Sequence, residues 1–190
     1  MAKLIDHLEG RLGRMGGAWP ARDGAHGGCP QVAWFQGGRL PRVQAFATIG
    51  LFRTPLRAGT SERHHHLELL ACDYAGEDGR EAGPLPSVVE FVAERMVQAE
   101  HAVLRGDVIP LPTPLPGGKT ALYAALPVCF DDDFRSVTIE NGSDVAIVWL
   151  IPITTAEADF VHEKGWQAFE QELVAQDPDL IDLDRAGIAL

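Results

Sequence analysis

VAIVWLIPITTAEADFVHEKGWQAFEQELVAQDPDLIDLD, residues 145–184, is the stretch on which the reading of this chain turns. Val145 to Ile151 are seven consecutive apolar residues, rich in β-branched and aromatic types, between Asp144 and Pro152. Such a run suits a strand buried on both faces. Proline has no amide hydrogen for a sheet ladder, so the strand is expected to stop at Pro152. Thr154 lies three residues before Glu157, the spacing of a capping box, in which hydroxyl and carboxylate each take the other residue's amide. Phe160, Trp166, Phe169 and Leu173 supply a helical apolar stripe, Gly165 interrupts it, and Asp177-Pro178 ends it. Upstream, Val137 and Ile139 alternate with polar residues and Asn141-Gly142 follows. That pair favours a tight two-residue turn, so 134–140 and 144–151 are expected to be antiparallel partners.

Working outward, Leu4, Ile5, Leu8, Leu12 and Met15 share one face of an N-terminal helix over about 2–15. A glycine-rich connection from Gly16 to Gly28 follows. Strands are expected at 31–36, 45–53, 65–73 and 121–130. Ser87 and Glu90 repeat the capping-box spacing at the head of a helix running to about Gly106. Residues 110–116, PLPTPLP, read as an extended polyproline connection between elements. Strands that cluster, with helices flanking them, give an α+β fold with a mixed, largely antiparallel sheet. The 190 residues are expected to form a single domain, 1–190, in which 1–30 is the N-terminal helix with its connection and 177–190 an acidic tail.

Charge is unevenly placed. The net charge is −11; residues 1–130 balance 13 acids with 13 bases, and residues 131–190 hold 14 acids against 3 bases. An acidic surface of that kind disfavours nucleic acid, which needs basic patches, and favours a basic protein partner by electrostatic steering. Its plainer reading is a solvated surface with acids near helix N-termini. No run approaches the roughly 18 apolar residues of a membrane helix, and the charged N-terminus has no signal-peptide core. Cys29, Cys72 and Cys129 are far apart and without a C-x-x-C pair. Cys72 and Cys129 fit small core residues, and with no export signal the chain is expected in a reducing cytoplasm.

The run L-I-P-I-T-T-A-E-A-D-F-V, the Gly165-Trp166 pair and D-P-D-L-I-D-L-D-R resemble the C-terminal signature of bacterial suppressor-of-fused-like proteins. The positions that carry the resemblance include Leu150, Pro152, Thr154, Glu157, Gly165, Trp166 and Phe169. ATIGLFRTPL (47–56), HLELLACD (66–73) and DVIPLPTPLPGG (107–118) fit more loosely, so that the similarity spans roughly 30–190. The resemblance implies a suppressor-of-fused-like fold and a non-enzymatic protein-binding domain. In animals the family member restrains a transcription factor; bacterial relatives resemble immunity proteins that neutralise secreted toxins. Pro152, Thr154, Glu157, Gly165 and Trp166 are expected to hold the fold, since each has a packing or capping task.

His64 and His66 can share one face of a strand, but two ligands do not close a zinc site; His26 and Cys29 could add to them. Gly117-Gly118-Lys119-Thr120 imitates the end of a phosphate loop, yet position 113 is threonine where the full pattern needs glycine. Asp131-Asp132-Asp133 lacks the alternating spacing of a calcium loop and reads as a solvated loop or a partner-facing acidic edge. Asp177, Asp179, Asp182 and Asp184 alternate with Leu180, Ile181 and Leu183, so the tail is expected to dock by its apolar residues and leave the acids outward. These seven aspartates are the candidate partner-binding residues. No catalytic residue, metal or cofactor is assigned. The expected function is toxin neutralisation in the cytoplasm by masking a basic surface, with a basic toxin domain as partner and neither nucleic acid nor membrane. The alternatives are a regulatory domain binding an endogenous cytoplasmic protein, and a metal-dependent enzyme using His64, His66 and carboxylates.

Overall fold

The computed structural model describes residues 1–19, 30–59, 62–76 and 83–190. Helix α1 (Ala2–Leu12) precedes strands β1 (Gly13–Trp19), β2 (Gln31–Gly37), β3 (Val43–Ile49), the short pair β4 (Leu56–Arg57) and β5 (His64–His65), and β6 (Leu67–Tyr74). Helix α2 (Leu85–Ala99), β7 (Val108–Leu115), β8 (Lys119–Ala125), β9 (Ser136–Thr138), β10 (Asp144–Thr154), α3 (Thr155–Lys164) and α4 (Trp166–Gln176) follow. The main sheet runs β1-β2-β3-β6-β10-β8-β7, with β9 paired to the start of β10. Every pairing is antiparallel except β6 with β10, which is parallel. The sheet is mixed and largely antiparallel, and the fold is α+β.

β10 is the centre of the sheet, and its apolar run explains why. Ile147, Trp149, Ile151 and Ile153 turn to one face, where α1, α3 and α4 close the core. Val148 and Leu150 turn to the other, under α2. Each large apolar side chain buried in this way contributes roughly 1.5–3 kcal/mol, and a strand covered on both faces needs apolar residues at every position.

β10 does not stop at Pro152; it continues to Thr154, with Pro152 opposite Leu122 of β8. The parallel pairing with β6 ends at Trp149. The Pro152 carbonyl points away from β8, to the Arg185 guanidinium at 3.2 Å. In extended backbone the nitrogen of a residue faces the same side as its carbonyl, so the proline costs the β8 ladder nothing.

Other expectations shift for local reasons. The first part of the glycine-rich connection is strand β1, paired to β2 with Gly16 at an irregularity; residues 20–29 lie outside the described set. Ser87 makes no capping box: α2 begins at Leu85, with proline in its first turn. It ends at Ala99, where Glu100 turns left-handed, well before Gly106. The proline run is not a polyproline connection but the edge strand β7. Pro110, Pro112 and Pro114 carry no N–H, which blunts this edge against an added strand. The hairpin before β10 is antiparallel as expected, but its loop spans 139–143, closed by Ile139 N–H to the Ser143 carbonyl at 3.0 Å.

β3 ends at Ile49 rather than 53, because Glu68 captures the chain beyond it. The wholly buried Glu68 carboxylate accepts the Thr48 hydroxyl and the amides of Gly50 (2.7 Å), Leu51 (3.3 Å) and Phe52 (3.4 Å). These bonds shape a single 3-10 turn over Leu51–Arg53. Burial pushes the Glu68 carboxyl up to about 7 from an ordinary 4.5, although its hydrogen bonds pull the other way. The folded state therefore holds this proton to higher pH than the unfolded chain does, and its contribution to stability is lost as pH rises from about 4.5 through 7. Relative to Glu68→Gln, the natural protein is expected to lose roughly 2–3 kcal/mol of unfolding free energy between about pH 5 and pH 8. Urea unfolding at the two pH values checks this; parallel pH dependence of the two proteins would contradict it.

Candidate functional site

The acidic tail is seated by the end of β10 and the start of α3. The Thr154 hydroxyl accepts the Glu157 amide at 3.3 Å, and the Glu157 carboxylate accepts the Thr154 amide at 2.7 Å, so the capping box forms. The same carboxylate receives the Arg185 guanidinium at 2.8 Å and the Ile188 amide at 3.2 Å. Arg185 also donates to the Pro152 and Ala186 carbonyls. Both partners are buried, with side-chain exposure of 5% for Arg185 and 0% for Glu157. Burial alone would raise the Glu157 carboxyl; the Arg185 hydrogen bond and the Thr154 and Ile188 amides outweigh it and hold the group below its usual range.

Lys119 adds a third clamp. Its ammonium donates to the Arg185 carbonyl at 2.5 Å and the Gly117 carbonyl at 3.1 Å. Burial and the neighbouring Arg185 charge push this lysine down. The segment resembling a phosphate loop thus uses its lysine to fasten the chain's own tail. Ile181 and Leu183 are buried beneath, as the alternation of acids and apolar residues implied.

Gly165 separates α3 from α4 with φ 87°, a left-handed geometry that favours glycine. Trp166 then packs against Gly106, where an added Cβ would meet its indole at 2.7 Å. The Arg105 guanidinium sits over the same ring, 4.7 Å from its centroid, and binds Glu170, which also accepts the Tyr123 hydroxyl at 2.9 Å.

The seven candidate aspartates fall into two groups. Asp177 is the exposed residue that ends α4. Asp179 accepts the Tyr74 hydroxyl at 2.7 Å and the amides of Ile181 and Asp182. Asp182 accepts the Asp184 amide at 2.9 Å. Their field reaches Asp73, whose carboxyl is raised to about 6, by burial first and then by Asp182 and Asp184. Asp131 to Asp133 lie against α1. There Asp131 binds Arg11 at 3.1 Å and Arg39 at 2.5 Å, and Asp132 binds Arg135 at 2.7 Å. Asp131 and Asp132 are thus engaged by the chain's own arginines. Asp73 and Tyr74 belong to the tail's acidic surface yet gave no sequence signal, because only β6 in its register brings them there.

The histidines diverge. His64 faces the Arg57 guanidinium at 3.4 Å, and His66 Nδ1 donates to the Phe52 carbonyl at 2.8 Å. Among the described residues no three or more His, Cys, Asp or Glu stand together as a metal-holding group; His26 and Cys29 lie outside them. Cys72 is buried and Cys129 half-buried, and burial pushes the Cys129 thiol up to about 12. No helix among the described residues is long and apolar enough to cross a membrane.

The family whose model matches this chain is suppressor of fused protein (SUFU), over residues 30–186, and the chain belongs to it. The resemblance read from residues 150–185 is correct at that level. Among solved structures, a SUFU homologue from Neisseria gonorrhoeae FA 1090, determined at 1.40 Å, superposes with TM-score 0.73 at 13% identity, covering 100% of this chain and 96% of that one. A chain of the Sufu–Fu complex superposes with TM-score 0.63 at 14% identity, covering 90% and 82%. Drosophila suppressor of fused gives TM-score 0.54 at 15% identity over 75% of this chain and 38% of that one. At these identities the likeness is one of fold. No curated protein matches the chain in sequence.

Arg185→Ala strands the Glu157 carboxylate in the core, and removing one partner of a buried pair costs about 3–5 kcal/mol. Adding Glu157→Gln to that variant is expected to recover part of the loss, because the uncompensated charge is gone. Urea unfolding of both variants measures this; a loss under about 1 kcal/mol for Arg185→Ala would contradict the clamp.

Proposed function

We propose that this chain is a non-enzymatic, single-domain, cytoplasmic protein-binding module that neutralises a basic toxin domain by covering it with an acidic surface. One observation carries the reading. The tail is locked in place by Glu157, Arg185 and Lys119, while Asp177, Asp179 and Asp184 remain exposed along it. Fixed acids on a rigid support steer a basic partner into encounter and lose little entropy when it docks. Asp131, Asp132 and Asp133 form a second acidic site, weaker because Asp131 and Asp132 are paired with arginines. Membership of the suppressor of fused family supports protein binding, and one solved relative is seen in the Sufu–Fu complex. That complex also favours a second reading, in which the partner is an endogenous regulatory protein.

The product of the neighbouring gene is the first partner to test, by co-purification. Its association with the Asp177→Asn, Asp179→Asn, Asp182→Asn, Asp184→Asn variant is expected to be roughly ten-fold slower at low salt, with a flatter salt dependence. Asparagine keeps one acceptor oxygen at each position, enough for the amides that turn onto residues 179 and 182, while the Tyr74 hydroxyl loses its acceptor; an unchanged thermal midpoint verifies that the variant is folded. Stopped-flow or surface-resonance on-rates decide it; an unchanged rate at low salt would refute steering by this surface.

A further inference from the structure

Val174 and Val128 are the two most exposed large apolar side chains among the described residues, at 83% and 60%. They lie far apart in sequence, yet both line one groove of about 180 Å³. Leu126, Leu173, Pro178 and Leu180 complete its walls. An open trough continues from it along α4 past Arg105, Glu170 and Trp166. An exposed β-branched residue on a helix surface adds nothing to folding and is a mediocre helix former. Val174 on α4 and Val128 in the turn after β8 converge on one cleft, which is the pattern of a contact surface.

We propose that this groove is the anchor site for a basic segment of a partner protein, which places one large apolar side chain between Val128 and Val174. The proposal rests on the protein-binding reading above and adds the contact face and the chemistry of the segment. The cleft is smaller than the roughly 300 Å³ at which small-molecule sites begin, and suits a single side chain. Its floor is preformed. Tyr123 and Arg105 both hold Glu170, and Arg105 is stacked on Trp166, so little has to be ordered on docking.

Charge identifies the occupant. Residues 155–190, which form α3, α4 and the tail, contain nine acids and two bases. One of those bases, Arg185, is buried against Glu157. At the groove itself, Arg105 is taken up by Glu170, and Asp177 stands at the rim. A segment carrying Lys or Arg beside its apolar anchor complements this surface. A second copy of the chain does not, because an isologous contact would set acidic rim against acidic rim.

The test uses the whole chain and a phage-displayed library of random twelve-residue peptides. Panning is expected to enrich peptides that combine Lys or Arg with Leu, Phe or Trp. Their affinity should fall at least ten-fold for the Val128→Asp, Val174→Asp double variant. Both positions are exposed, and an unchanged thermal midpoint verifies that the variant is folded. Four outcomes each overturn the proposal: no enriched peptide, enrichment of acidic or purely polar peptides, unaltered affinity for the variant, or a dimer of the natural chain that the variant abolishes. If the neighbouring gene's product still binds the double variant at full strength, with on-rates that depend on the tail aspartates, the acidic-surface reading survives and the groove proposal alone fails.

Discussion

Glu157 and Arg185 leave water together, and the C-terminal third of the molecule is arranged around that pair. One carboxylate closes the capping box of α3, neutralises the tail's arginine and holds the Ile188 amide. One guanidinium ties that carboxylate to the carbonyl of Pro152 at the end of the central strand. Two stretches distant in sequence, 152–157 and 185–188, meet at a single ion pair. A buried pair of this kind is not a strong source of net stability, since desolvation offsets much of the attraction. It does impose a penalty on every arrangement that separates the partners, and so fixes one path for the tail.

That constraint links fold to function. The four aspartates of residues 177–190 would repel one another in a free tail. Pinned by Arg185 and Lys119, with Ile181 and Leu183 beneath, the same acids become a surface of defined shape. The groove beside α4 shares the support: Trp166 follows the Gly165 break, and Arg105 and Glu170 lock around it. The acidic surface acts at long range on encounter, and an apolar cleft acts only at contact. In the proposed reading, rate and residence are thereby served by different residues.

Much of this was legible in residues 145–184, for a physical reason. Capping, helix interruption and two-sided burial are local properties, and Thr154, Glu157, Gly165 and the 145–151 run state them without help from the rest of the chain. Pro152 does not stop the strand because the cost of a strand proline depends on whether a partner strand lies on the side its nitrogen faces, and that is set by where β6 stops. Ser87 and Glu90 have the right spacing for a cap, but Pro86 and the buried Leu85 draw the helix start three residues earlier. Residues 13–15 read as the end of the helix and 16–19 as glycine-rich connection, yet Gly13–Trp19 is a strand, because its partner β2 supplies the pairing that propensity lacks. Arg185 was visible as the end of a motif, but its partner Glu157 lies 28 residues away and no spacing rule joins them. The groove had no sequence signal at all, since Val128 and Val174 meet only in the folded chain.

Native-state hydrogen exchange at the Ile188 amide tests the central claim most directly. This amide donates to Glu157, beyond the last helix and close to the end of the chain. If the ion pair fixes the tail, Ile188 exchanges orders of magnitude more slowly than an unstructured peptide of the same sequence, and Arg185→Ala removes that protection. Exchange of Ile188 at the free-peptide rate in the natural protein would contradict the account.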